Sequence, residues 1–360
     1  MSGATGFVGA HLVRELLEHG HQVRAIYRDA ARLARLGGLE PETARADVLD
    51  TAAMRRAVDG CDVLFHCAGI VASTPVDRVF EINALAPRIA VEAAAAEGDG
   101  RVVVTSSVAG IGPVPRGEVG DERDLYRGGG LGLTYPDSKH EGEVGAIAAG
   151  LRLGVEVVVV NPAYVLGVPV DTDQPGETST RIVGNYLRGR LPAVVDGGTT
   201  IVDVRDVAAG HVAAAERGKP GERYVLGGFN TNWPDLIERV AELSGVRHPV
   251  VVLPPESATL ARRAEALRLP LAISAEALVL MAQNWNYSSR KAERELGYRP
   301  RPHEDTVRET IGWYRDLIDG GVLDDGARSA LSLGAAGMRL AGKVGALRAI
   351  DMAGVRLIGR

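Results

Sequence analysis

The chain opens Met1-Ser-Gly3-Ala-Thr-Gly6-Phe-Val-Gly9 and runs directly into Ala10-His-Leu-Val-Arg-Glu-Leu-Leu17. Val8, Leu12, Val13, Leu16 and Leu17 recur at helical spacing, and Gly20 follows as a stop signal. Glycines at positions 3, 6 and 9 permit a tight turn. They also let backbone N–H groups approach a pyrophosphate at the helix N-terminus. Glycine is common in this chain, 45 of 360 residues, so the spacing alone is a weak signal. Its place before an amphipathic helix and a strand strengthens it. Such a turn follows a central strand, yet only Met1 and Ser2 precede Gly3. The reading therefore expects a first strand that is missing or truncated, in a sequence that starts about six residues late.

Outward from the turn, β-branched runs alternate with helical patterns. His21–Tyr27 reads as a strand, Thr51–Val58 as a helix, Asp62–Cys67 as a strand and 75–97 as a long Ala-rich helix. Arg101–Ser106 is a strand, and Pro136–Leu153 is a helix with proline at its start. Val155–Val160 is continuously apolar apart from Glu156, as in a strand covered on both faces. Strands separated by helices of this length give βαβ units. The expected fold is α/β, a doubly wound parallel Rossmann sheet over 1–160. After 161 the pattern loosens. A strand fits Thr200–Val204, with Asp206 as N-cap of the next helix, and helices fit 233–244, 255–268, 274–283, 288–296 and 304–319. Residues 161–320 read as a smaller, discontinuous substrate lobe with elements returning to the core. Residues 321–360 form a basic Ala/Gly/Leu-rich tail. It reads either as a surface-packed helix or as a weak membrane-surface or partner helix.

Composition narrows the function classes. Hydrophobic residues are 46% and charged residues 24%, the balance of a globular protein. A formal net charge of −5 argues against nucleic acid as the main partner. Two cysteines, Cys61 and Cys67, exclude a disulfide scaffold and a four-thiolate metal site. The histidines have no metal spacing, so no metal site is expected, and His66 reads as a packed core residue. No leader and no apolar run long enough to span a bilayer are evident, which points to a cytoplasmic protein.

The chemistry-bearing residues come later. Tyr135-Pro-Asp-Ser-Lys139 places a phenol and an ammonium four apart on one helical face. An ammonium there favours tyrosinate, which suits the phenol to general acid–base work near neutrality. Upstream, Thr105-Ser106-Ser107 ends a strand, where a hydroxyl either bonds a substrate carbonyl or caps a turn. After the second strand stands Tyr27-Arg28-Asp29 where an NAD enzyme usually carries an acid for the ribose 2′-hydroxyl. Arg28 reads as a partner for a 2′-phosphate or as a solvated arginine, so the cofactor leans to NADP over NAD. Asp121, Glu122 and Asp124 read as a solvated loop that borders the substrate or simply faces water.

The ordered set Gly3-x-x-Gly6-x-x-Gly9, Asp47-Val48, Cys67-Ala68-Gly69, Asn83, Ser106-Ser107, Tyr135-x-x-x-Lys139 and Asn161-Pro162 resembles the extended short-chain dehydrogenase/reductase family. That family is also called the NAD-dependent epimerase/dehydratase family, and the likeness covers about residues 1–318. Val23–Asp29 and Tyr135–Lys139 are similar to the dihydroflavonol-reductase-like members and the hopanoid-associated sugar epimerase group. The resemblance implies that Ser107 polarises a carbonyl, Tyr135 exchanges the proton, and Lys139 tunes Tyr135 and bonds the nicotinamide ribose. It implies a cofactor cleft formed by Gly3, Thr5, Gly6, Phe7, Val8, Gly9, Arg28, Asp47, Val48, Cys67, Ala68, Gly69, Asn83, Lys139 and Pro162. The expected function is NAD(P)-dependent hydride transfer between nicotinamide and a carbonyl or secondary alcohol of a small molecule. The alternative is an NAD-dependent sugar epimerase or dehydratase with tightly bound cofactor. Aromatic residues are only 4%, which offers little stacking surface for a nucleotide base. A homodimer is a family expectation.

Overall fold

The computed structural model describes residues 1–98, 100–173, 175, 179–268, 273–324 and 356–358. The glycine turn enters α1 (Phe7–Glu18), followed by β1 (Arg24–Tyr27), β2 (Glu42–Arg45), α2 (Thr51–Val58) and β3 (Val63–His66). The long Ala-rich helix is not uniform. It runs as α3 (Val76–Phe80), a π-helical turn over Glu81–Leu85, and α4 (Ala86–Glu97). Then come β4 (Arg101–Thr105), the single-turn α5 (Val108–Ile111), α6 (Thr134–Leu153) and β5 (Glu156–Pro162).

β3, β4 and β5 pair in parallel, as do β1 and β2. The place of a central strand between these groups is held by Met1 and Ser2. Ser2 bridges Ile26 on one side and His66 on the other, both in parallel sense. Its N–H donates to the Phe65 carbonyl at 2.9 Å, Cys67 N–H donates to the Ser2 carbonyl at 3.1 Å, and Ile26 N–H donates to the Met1 carbonyl at 2.8 Å. The chain thus reverses its winding direction where the glycine turn emerges, the point at which doubly wound sheets bind ligands.

The continuous valine run is explained by alternation across the sheet. Val103, Val158 and Val160 pack with Leu12, Val13 and Leu16 of α1. Val102, Val104, Val157 and Val159 pack with Met54, Ile89 and Ala146 of α2, α4 and α6. After β5 the chain forms β6 (Tyr164–Leu166), α7 (Arg181–Leu187), β7 (Ala193–Val195) and β8 (Gly198–Asp203). It returns to the first core with α8 (Val204–Arg217), which packs on α1, and with β9 (Arg223–Leu226), which joins β5 in parallel.

The second core gathers Leu166, Tyr186, Trp233, Ile237, Trp313 and Tyr314. It is built from β6, α7, β7, β8, α9 (Trp233–Ser244), β11 (Val250–Leu253) and α13 (His303–Asp319). β10 (Phe229–Asn232) pairs antiparallel with β8, α10 (Ser257–Ala266) and α11 (Ala275–Ala282) pack on each other, and α12 (Arg290–Leu296) returns Ala292 and Leu296 to the first core. The sequence expectation for the N-cap of α8 needs correction. Asp203 is the cap, its carboxylate accepting from Arg205 N–H at 2.8 Å, because β8 ends one residue earlier than the apolar pattern suggests. Asp206 lies inside the helix and accepts from both the backbone and the guanidinium of Arg301. Of the tail, residues 325–355 and 359–360 lie outside the described residues. Residues 356–358 form β12, antiparallel to β11, where a helix was expected.

The α6 glycines separate packing from propensity. A Cβ on Gly142 would lie 2.0 Å from the Asn83 carbonyl oxygen, whereas a Cβ on Gly145 meets nothing within 4 Å. Gly142→Ala should lower stability by about 1–3 kcal/mol through overpacking. Gly145→Ala should raise it by about 0.5–1 kcal/mol through helix propensity. Urea unfolding of the two variants checks the opposite signs.

Candidate active site

The parallel sheet delivers the C-terminal ends of its strands to one edge. The glycine turn, the loop after β3 and the Ser106-Ser107 step after β4 therefore meet there. Gly3 has φ +71°, and a Cβ on it would lie 2.5 Å from Ala68 N; a Cβ on Gly9 would lie 2.0 Å from the Gly3 carbonyl oxygen. Both glycines are thus required by close backbone approach. Gly6 is the N-cap of α1 with no side chain across it, and it is exposed, so the first-turn N–H groups face outward. Phe7 packs edge-on against His11, and Thr5 and Val8 are half-buried beside it. This cradle fits a pyrophosphate.

Arg28 ends up exposed just beyond β1, its guanidinium 3.8 Å from the Asp47 carboxylate. Asp47 also accepts from Leu49 N–H, and Val48 is half-buried against the α2 side of the core. Cys67 is half-buried against the first core, and desolvation pushes its thiol up to about 11. His66 accepts or donates through Nδ1 to Ser2 Oγ at 3.0 Å, and burial pushes it down to about 3.

Asn83 sits in the π-helical turn, a feature that often marks functional sites. Its Oδ1 accepts from Ile70 N–H at 2.9 Å, and its Nδ2 donates to the Ile70 carbonyl and to Ser138 Oγ. It therefore ties the loop after β3 to α6. Gly69 completes that contact, since a Cβ there would lie 3.0 Å from Lys139 Nζ.

Ser107 caps α5, its hydroxyl accepting from Ala109 N–H at 3.1 Å. The same hydroxyl lies near enough to the Tyr135 phenol to act on its ionisation. Lys139 lies one turn beyond Tyr135 and donates from Nζ to the Thr105 carbonyl at 3.0 Å. The three residues singled out in the sequence are therefore brought together. Their electrostatics differ from the expectation. Burial raises the Tyr135 phenol above its ordinary value, and Ser107 alone opposes this. The Tyr135 side chain is half-buried. Lys139 does not draw the phenol down here; its ammonium donates instead to the Thr105 carbonyl. Lys139 is itself pushed down to about 8 by burial, with Cys67 and Glu143 opposing. Pro162 closes β5 in the buried layer beside these residues.

Sequence reasoning missed Glu143 and Arg223 in this region, and gave Asn161 no role beyond its place in the ordered set. Asn161 donates from Nδ2 to the Ser107 carbonyl at 3.0 Å and to Glu143 Oε2 at 2.8 Å, and Arg223 Nη1 donates to Glu143 Oε1 at 2.9 Å. A charge four residues after Lys139, on a helical face otherwise rich in alanine and glycine, was the available signal. The solvated reading of Glu122 is corrected: the side chain is buried, and its Oε1 accepts from Val225 N–H at 2.8 Å. The neighbouring carbonyl of Arg223 accepts from Lys291 Nζ, and Ser289 Oγ bonds both N–H and carbonyl of Gly227. Among the described residues no group of three or more His, Cys, Asp or Glu side chains is gathered to hold a metal, and no helix is long and apolar enough to cross a membrane.

Comparison with known proteins follows this geometry. The family described as NAD dependent epimerase/dehydratase matches residues 1–227. A protein of Synechocystis sp. named as a dihydroflavonol 4-reductase is 33% identical over 327 residues, 88% of this chain and 94% of that one. Sterol demethylase protein B of Methylococcus capsulatus is 31% identical over 88% of this chain and 98% of its own length. The crystal structure of a nucleoside-diphosphate-sugar epimerase from Pseudomonas aeruginosa is 29% identical, with a TM-score of 0.72, covering 88% of this chain and 96% of that one.

The Lys139 environment has a stability consequence. Its ammonium titrates near 8 in the folded chain, against an ordinary 10.5. The unfolded chain then holds more protons between these values, so stability rises with pH across that window and the gain is lost as pH falls through 8. Urea unfolding without added cofactor, at about pH 7.5 and about pH 10, should show a rise that Lys139→Met loses, on the order of 2–3 kcal/mol. Equal slopes in both proteins would contradict the buried-ammonium assignment.

Proposed function

This chain belongs to the NAD dependent epimerase/dehydratase family and is an NAD(P)-dependent enzyme of that class, and we propose that it moves a hydride between nicotinamide and a carbonyl or secondary alcohol of a small molecule, with Tyr135 as acid and base. The observation that carries this reading is the gathering of Ser107 beside the Tyr135 phenol, with Lys139 one helical turn away and donating to the Thr105 carbonyl. The bound cofactor would supply or accept the hydride.

The chain's own residues do the rest. The first-turn N–H groups after Gly6 receive the pyrophosphate, and Arg28 receives a 2′-phosphate, which favours NADP. Asp47 and Val48 flank the adenine side, and Gly69, Asn83 and Pro162 line the nicotinamide side. Lys139 hydrogen-bonds the nicotinamide ribose. Ser107 donates to the substrate carbonyl oxygen and orients it. Tyr135 gives that oxygen a proton as the carbonyl carbon is reduced, or takes the alcohol proton in the reverse direction. Its raised pKa keeps it protonated and ready to donate, and cofactor charge beside it would then share in tuning it.

The reductase name of the Synechocystis relative supports net reduction. The sugar-epimerase name of the Pseudomonas structure supports the second reading, in which oxidation and reduction alternate on one retained cofactor. Absorbance at the nicotinamide band separates them: net loss during turnover marks a reductase, and product without net change marks an epimerase.

Tyr135→Phe should lower kcat by at least about 10²-fold while NADPH binding, followed by nicotinamide fluorescence, stays within about twofold. Unchanged turnover would remove Tyr135 from its role. Arg28→Ala should weaken NADPH at least about tenfold and leave NADH within about twofold, on the scale of one charge-assisted contact. An equal effect on both cofactors would assign Arg28 to the solvated surface.

A further inference from the structure

Arg223 turns its guanidinium from β9 towards the segment between Gly112 and Leu133, which joins Ser107 to Tyr135. Nε donates to the Glu122 carbonyl and Nη2 to the Asp124 carbonyl, each at 2.8 Å. Nη1 donates to Glu143 Oε1 at 2.9 Å. Glu143 Oε2 accepts from Asn161 Nδ2, which also donates to the Ser107 carbonyl. Glu143 is 3% exposed and Asn161 0%. An unbroken chain of hydrogen bonds, buried at Glu143 and Asn161, therefore runs from the 122–124 backbone to the catalytic serine. It passes through α6 one turn beyond Lys139.

The chemistry proposed above uses none of these three side chains. A buried ion pair is weak ground for stability, because desolvation offsets most of its attraction. Its better-attested use is to select one arrangement among several. The geometry here matches that use. The planar guanidinium fork holds two carbonyls and a carboxylate at once, which a lysine ammonium cannot reproduce. We propose that Glu143, Asn161 and Arg223 are positioning residues that lock the 112–133 segment to Ser107, so that the wall beside the substrate and the carbonyl-orienting hydroxyl hold a single geometry. The catalytic meaning of this lock rests on the reading of Ser107 given above, whereas the lock itself does not.

Hydrogen exchange read by mass spectrometry on the full chain tests it. The Gly110 N–H donates to the Ser107 carbonyl, so residues 107–111 report on the far end of the relay, and residues 120–127 report on the near end. Arg223→Lys keeps the charge but not the fork. Glu143→Gln replaces one acceptor oxygen with a donor and is the second variant, so that one folded protein suffices. Either should speed exchange in both segments at least about tenfold while 63–66 and 233–244 stay unchanged. Acceleration confined to 120–127, or spread evenly over the chain, would overturn the coupling. NADPH-dependent reduction of 9,10-phenanthrenequinone as a probe carbonyl is the second arm. In the variants kcat should fall about tenfold or more with NADPH affinity within twofold, and unchanged kcat beside coupled exchange would overturn the positioning role. Failure of the catalytic reading shows separately, as wild-type protein that reduces no carbonyl while the exchange coupling persists.

Discussion

The backbone contact between Gly3 and the Cys67–Ala68 step is the constraint on which the rest of the site depends. With a Cβ on Gly3 2.5 Å from Ala68 N, no other residue lets the two turns touch. That touch sets where α1 begins, and Gly9 then lets α1 fold back over the Gly3 carbonyl. From Ala68 the chain continues through Gly69, whose own lack of a side chain admits Lys139 Nζ. Three glycines therefore fix the distance between the turn that opens α1 and α6 before any polar side chain acts.

Buried polar groups then connect what the sheet brings near. Asn83 joins the loop after β3 to Ser138, and Asn161 joins the serine step to Glu143. On the other side of the sheet, the buried Asp203 accepts from Arg205 and from Thr306 Oγ of α13, and Asp206 accepts from Arg301. Each carboxylate meets several donors, which is the condition for holding charge away from water. The two cores are thereby joined through the start of α8 rather than through an apolar seam alone.

Much of this was legible in the sequence, and the reasons differ by element. α2 and α9 lie where periodicity and end signals put them, because amphipathic helices carry their own boundaries. The Ser107, Tyr135 and Lys139 group was legible because spacing on a helix and a strand end are local facts. The π-helical turn was not, since an extra residue in a helical turn leaves no trace in an Ala-rich pattern. Strand β2 was not, since Glu42-Thr-Ala-Arg45 is short, half-polar and at the sheet margin. Glu122 read as solvent-facing because a charged residue is judged by itself, and Arg223 carried no signal of its own. Their burial depends on partners about a hundred residues away in the chain. The phenol and ammonium of Tyr135 and Lys139 were expected to tune one another, but desolvation of each is a property of the folded surroundings and not of spacing.

The outer flank of β9 shows a further result of the same wiring. Among the described residues that strand has a β-partner in β5 alone, so its far side would present an unpaired row of amides and carbonyls. Lys291 takes the Arg223 carbonyl, Glu122 takes the Val225 amide, and Ser289 takes both groups of Gly227. Side chains from two distant segments stand in for a missing ladder. Strand-to-strand addition by a neighbouring molecule finds these four groups already taken, which blunts the aggregation hazard that open parallel sheets carry at their margins.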